Sequence, residues 1–343
     1  MKPQQLITKI KNGEFSTRLT EIYGEDAPRQ AERYIKTIES FCRYYRDDRD
    51  IEIFSVPGRS EVLGNHTDHN HGRVLAAAIN LDIIAVAAKN EESKIRIRSE
   101  GYNEDCVLID KEVSPDPQYY FKSHALVGGM YGGFIKEGYL CGGFDAYTTT
   151  EVYKGSGLSS SAAFEVMVGN IINHFFNEGK VPAPEIAKIA QYAENVYFGK
   201  PCGLMDQTAC AVGGFVAIDF KSPKQPDIEH VEFDLDKAGY SLCIVNTGGN
   251  HADLNSDYAS VPAEMKSVAK FFGKEALREV SAESIIKNIP ALRGIVGDRA
   301  IMRALHFAAD DIRAKVGTLA LKENDIAEFL SNVTASGESS FKY

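Results

Sequence analysis

Between Gly64 and Gly72 the chain reads GNHTDHNHG, which sets His66, Asp68, His69 and His71 within six positions. Imidazole nitrogens and carboxylates are the usual ligands of zinc and related ions, so one chemistry open to this stretch is a metal cage. The spacing is not that of a helical H-E-x-x-H pair, and H-x-D-H-x-H runs opposite to the H-x-H-x-D-H order of some metallohydrolases. Two other readings stand beside it: a different functional role, or a polar loop whose histidines bond to backbone groups or face water. A metallohydrolase built on His66, His69 and His71 would bind stoichiometric zinc.

A second stretch, GSGLSSSAAFEV from Gly155 to Val166, has the makings of an anion site. The start of a helix offers unpaired backbone N–H groups and a positive dipole end, and glycines let backbone approach a ligand closely. No G-x-x-x-x-G-K-[ST] occurs anywhere, which excludes the Walker loop, and the third glycine of the dinucleotide fingerprint is missing. A serine hydroxyl here could ligate magnesium, as in other phosphate loops. The plain alternative is a serine N-cap after a flexible turn.

These residues need a frame. Residues 4–47 are rich in helix formers and charge and predict helices. IEIFSVPG alternates apolar and polar residues before Pro57 and Gly58, which read as a turn, so Arg59 and the histidine cluster are expected on a loop between the strands IEIFSV and VLAAAINLDIIAVAA. The second of these, at 74–88, is too short to span a bilayer and contains Asp82, so it reads as a buried strand. KIRIRSE at 94–100 is another alternating strand. After the glycine loop, Phe164, Met167, Val168, Ile171, Ile172 and Phe175 recur along one helical face. PEIAKIAQYAENVYFG predicts a helix that begins after Pro184 and ends at Gly199. FVAIDF and SLCIVN read as strands, the latter buried, and the text from 258 onward is mostly helical. A domain change is expected near 220, giving domains of 1–220 and 221–343.

With 343 residues, 44% of them hydrophobic and 25% charged, the chain can bury a sizeable core in each of two domains. A net charge of −10 excludes a general electrostatic grip on nucleic acid or an anionic membrane, so an anionic ligand must be held locally. Six cysteines lie scattered without a C-x-x-C pair, and the N-terminus has no apolar core of a signal peptide. Both features predict a cytoplasmic protein.

Three stretches together carry a resemblance: PGRSEVLGNHTDHNHGRVL at 57–75, GSGLSSSAAFEV at 155–166 and GKPCGLMDQTACAVGG at 199–214. In this order they resemble galactokinases of the GHMP small-molecule kinase superfamily, and NTGGNHADLNSDY at 246–258 is similar to a fourth conserved stretch of that family. The resemblance implies an α+β fold of the GHMP kinase type, with a ribosomal-protein-S5-like N-terminal domain and a ferredoxin-like C-terminal domain. It also implies ATP-dependent phosphorylation of the anomeric C1 hydroxyl of galactose or a close relative, by a monomer with no nucleic-acid or membrane partner. Asp206, in the M-D-Q segment, would take or orient the C1 hydroxyl proton, and Arg59 would hold Asp206 ionised and offset phosphate charge. Asn65, His66, Asp68, Gly203 and Tyr258 would form the sugar pocket. Gly155, Ser156, Gly157, Leu158, Ser159, Ser160 and Ser161 would cradle the phosphates of ATP, with Ser161 the ligand to Mg2+. His69 and His71 have no family role and read as solvated.

The chain departs from the family pattern at several points. Asn65 stands where galactokinases carry a glutamate that reads the C6 hydroxyl, which implies a looser preference there, with galacturonate or a pentose tolerated beside galactose. Tyr153 replaces a proline, Asn250 an arginine and His69 a tyrosine. A closing segment resembling G-G-G-F-G-G has no counterpart, which implies an incomplete C-terminal domain. A kinase-derived sugar-binding regulator is therefore the alternative to an active enzyme.

Overall fold

The computed structural model describes residues 1–45, 48–65, 67–109, 113–153, 155–245 and 255–343, with side chains for all of these but 255–258. Helices α1 (Pro3–Lys11), α2 (Ser16–Tyr23) and α3 (Ala27–Tyr45) precede strands β1 (Glu52–Leu63), β2 (Arg73–Lys89), β3 (Lys94–Ser99) and β4 (Glu104–Leu108). Helix α4 (Ser123–Lys136), strand β5 (Phe144–Thr150) and helices α5 (Ser160–Phe176) and α6 (Ala183–Tyr192) follow. A π-helical turn over Ala193–Phe198 leads to helix α7 (Met205–Val212) and strands β6 (Phe215–Asp219) and β7 (Asp227–Val231). Helices α8 (Asn255–Phe271), α9 (Ala282–Lys287), α10 (Ile289–Ile295), α11 (Asp298–Lys322) and α12 (Ile326–Lys342) complete the described chain.

The elements gather into two compact units that interleave along the sequence. The first comprises Met1–Gly58, Ile79–Lys154 and Leu158–Ala211. Within it the second half of β2 pairs antiparallel with β5, β5 pairs parallel with β3, and β3 antiparallel with β4. Ile83, Ala85 and Ala87 of β2 join the core built by Met130 and Phe134 of α4, Met167 and Ile171 of α5 and Ile186 of α6. Val86 and Ala88 face the other way, against Leu6 and Ile10 of α1 and Ile38 and Phe41 of α3. Side chains alternate across a strand, so burial on both faces explains the unbroken apolar run of β2. Asp82, which interrupts the run, is 2% exposed and its charge is fully met: Arg33 donates at 2.6 Å, Tyr23 at 2.6 Å and Ser55 at 2.5 Å.

The second unit comprises Arg59–Ala78, Gly155–Gly157 and Val212–Tyr343. Here the first half of β2 pairs antiparallel with β6, and β6 with β7. Leu63, Leu75, Phe215 and Val231 pack with Ala314 and Leu321 of α11 and Phe329 of α12. A further core joins Met265 and Val268 of α8 to Ile285, Leu292 and Ile301 of the helices that follow. Arg73 and Arg278 alternate with Asp219 and Asp311 in a closed ring of ion pairs between 2.7 and 2.9 Å.

Two expectations are corrected. Pro57 and Gly58 do not end a strand: β1 runs through them to Leu63, so Arg59 lies on a strand and not on a loop. Proline is tolerated on a strand with an unpaired edge, and β1 pairs with β2 alone among the described strands. SLCIVN is not a buried strand, because residues 241–245 are irregular and Leu242, Ile244 and Val245 are exposed. No described strand pairs with them, and without a ladder an apolar run has no reason to extend.

Asp145 of β5 is fully buried and accepts hydrogen bonds from Arg49, Arg96 and Asn90 at 2.5 to 3.1 Å. Asp145→Ala should cost on the order of 3 kcal/mol in urea unfolding, because two guanidinium groups lose their only fully buried anion. A loss below about 1 kcal/mol would contradict this account of the site.

Candidate active site

In the first unit the glycine and serine run turns into α5 at Ser159, which adopts left-handed backbone angles (φ 61°, ψ 52°). Ser159 occupies the N-cap position without capping the helix; its hydroxyl donates instead to Oδ2 of Asp206 at 2.5 Å. The first-turn N–H groups of α5 therefore have no side-chain cap, the state in which a helix start receives an anion. Leu158 is buried against Ile79 and Val152 and pins the turn from beneath. Asp206 belongs to the first turn of α7, which follows the break at Pro201–Gly203.

One turn into α5, Ser161 donates to Oε1 of Glu194 at 3.2 Å. Glu194 is 2% exposed, and it also accepts from Lys200 at 2.9 Å and Gln207 at 2.8 Å. Gln207 reaches Glu165 as well, at 3.3 Å. Burial first, and then the charge of Glu194, push the Glu165 carboxyl well above the usual carboxylate range and toward its neutral form. Two buried carboxyl groups thus differ in state: one is charged and paired with a lysine, the other favours its acid. Oε1 of Glu165 and Oε1 of Gln207 find no partner among the described residues.

In the second unit Arg59 donates through Nη1 to the carbonyl of Gly157 at 2.6 Å. Gly155 and Gly157 have φ of 78° and 76°, the left-handed region that only glycine enters freely. Asn65 donates through Nδ2 to Ser340 at 2.7 Å. Asp68 opens a short 3-10 turn and lies 3.7 Å from His69, whose side chain is well exposed. Gly64 has φ 91°, and a Cβ there would meet the carbonyl of Arg73 at 2.2 Å, so the start of the signature loop accepts glycine alone.

The structure thus joins Ser159 to Asp206, and Arg59 to the phosphate loop. Gly203, Leu158, Ser159, Ser160, Ser161 and Asp206 belong to the first unit; Arg59, Asn65, Asp68, Gly155, Ser156 and Gly157 belong to the second. His66 and residues 246–254 lie outside the described residues, as does the side chain of Tyr258. Among the described residues, no three His, Cys, Asp or Glu side chains form a group able to hold a metal. Glu194, Lys200, Glu165 and Gln207 escape a reading of the sequence. Gln207 at least stands in the M-D-Q segment, whereas Glu194 reads as an ordinary helical acid.

An uncapped serine-rich helix start with an aspartate hydrogen-bonded at its mouth, in an α+β frame, defines a small-molecule kinase of the GHMP class. Residues 125–214 match the family of GHMP kinases N terminal domains, and residues 39–89 match the galactokinase galactose-binding signature. A galactokinase of Glaesserella parasuis is 35% identical over 277 residues, which cover 79% of this chain and 69% of the relative. A galactokinase of Clostridium tetani is 29% identical over 299 residues, 85% and 73% of the two chains. The crystal structure of Lactococcus lactis galactokinase complexed with galactose matches 88% of this chain and 77% of its own, with a TM-score of 0.70 and 25% identity. The chain belongs to the galactokinase family. GHMP kinases and galactokinases take ATP as the phosphate donor. No helix of the described residues is long and apolar enough to cross a membrane.

Proposed function

We propose that this protein transfers the γ-phosphoryl group of ATP to the C1 hydroxyl of galactose, as a monomeric enzyme of the cytoplasm. The observation that carries phosphoryl transfer is the Ser159–Asp206 bond, which sets a carboxylate beside the helix start suited to an anion. The galactokinase relatives carry the choice of sugar.

Phosphoryl transfer asks a protein for positioning and charge compensation more than for covalent help. The N–H groups at the start of α5 and the backbone of Gly155–Gly157 bind the phosphates. Asp206 accepts the C1 hydroxyl proton as that oxygen attacks. Arg59 offsets charge that builds on the transferred group. Ser161 and Glu194 fit Mg2+, which favours hard oxygen ligands; when bound, the ion neutralises phosphate charge. Asn65, His66, Asp68, Gly203 and Tyr258 read the sugar hydroxyls.

ADP release coupled to a spectrophotometric assay should depend on added galactose; release independent of any sugar would overturn the proposal. In the same assay Asn65→Glu should raise the preference for galactose over galacturonate and over a pentose, since a carboxylate accepts strongly and repels an anion. One amide N–H of Asn65 is already taken by Ser340, and glutamate cannot make that donation. An unchanged ranking of kcat/KM values would refute the role at C6.

A further inference from the structure

The signature loop is gripped from α11 in a way that no motif announces. Oδ2 of Asp310 accepts the backbone N–H of Gly64 at 3.1 Å, that of Asn65 at 2.8 Å and the hydroxyl of Ser336 at 3.0 Å, while Arg313 donates to Oδ1 at 3.0 Å. Asp310 is fully buried, and a carboxylate in that position is tolerable only because four donors, one of them cationic, surround it. The carbonyl of Asn65 faces Nε2 of His306 at 3.0 Å. A carbonyl can only accept, so Nε2 carries the proton, and Nδ1 accepts from the Ser339 hydroxyl at 2.8 Å. His306, Asp310 and Arg313 are spaced by four and three residues and share one face of α11. Gly64 and Asn65 are thus fixed by both backbone N–H groups and one carbonyl.

We propose that Asp310 and His306 are positioning residues for the sugar pocket: they clamp the backbone at Gly64 and Asn65 and so set the placement of Asn65 and Asp68. This rests on the reading of those two residues as sugar contacts. The left-handed φ of Gly64 supports it, because a backbone held away from its ordinary range needs outside restraint.

Two measurements on the full chain decide it. Amide hydrogen exchange of Gly64 and Asn65 should speed up by about tenfold or more in Asp310→Asn and His306→Leu, and His306→Gln, which can still donate to the carbonyl, should recover most of the protection. The KM for galactose should rise by about tenfold in the first two variants while the KM for ATP stays within about twofold. Unchanged exchange, or parallel rises in both KM values, would overturn the clamp. Should Asp310→Asn fail to fold, the His306 pair carries the test. A wild-type protein that turns over no sugar would refute the kinase reading, and the exchange comparison would still decide the clamp.

Discussion

Asp206→Ala should lower kcat by about a thousandfold or more, the range expected when a positioned general base is removed. The variant should still fold. Asp206 lies in the first turn of α7, where an acid contributes about 0.3–1 kcal/mol through the helix dipole. Loss of its carboxylate also frees the Ser159 hydroxyl, which sits at the N-cap of α5 and can turn to cap that helix. Asp206→Asn separates shape from charge: an amide keeps a hydrogen bond to Ser159 and cannot take a proton at neutral pH. Both variants should therefore lose turnover, with melting temperatures close to that of the parent. Near-normal kcat in either would remove Asp206 from the mechanism.

Arg59→Ala should lower kcat by about a hundredfold, with a smaller change in the KM for galactose. The guanidinium does two things that alanine cannot: it fixes the Gly157 carbonyl and supplies a permanent charge next to the phosphate loop. Arg59→Lys should not restore activity, because an ammonium is a compact, strongly hydrated point charge without the planar fork that reaches two acceptors at once. An effect confined to the sugar KM, with kcat intact, would show that Arg59 serves binding alone.

How much of this was legible differs by element. The helix after the glycine run could be read because small residues and then a spacing of three and four leave few other options, and α5 starts at Ser160 as that pattern requires. β2 was legible for a similar reason, since a strand covered on both faces has a distinctive apolar run. Arg59 was misplaced onto a loop because Pro57–Gly58 is strong local punctuation, and only the pairing of β1 with β2 overrides it. SLCIVN misled in the opposite direction, an apolar run that finds no ladder among the described residues. The association of Glu165, Glu194, Lys200 and Gln207 could not be read at all: they converge through the packing of α5, the π-helical turn and α7, and local pattern says nothing about such convergence. The same holds for Asp310, whose partners lie far back in the sequence at Gly64 and Asn65.

The wide turn over Ala193–Phe198 has a bearing on how this region can evolve. A π-helical turn holds one residue more than an α-helical one, and such turns are rare outside sites where a side chain must be aimed. Removing a single residue there would let the helix rewind to the ordinary form and rotate all that follows by about 100°. Glu194 would then fall out of phase with Lys200 and Gln207. Lineages related to this chain should accept many exchanges of residue type along the outer side of that turn, yet almost no change in its length.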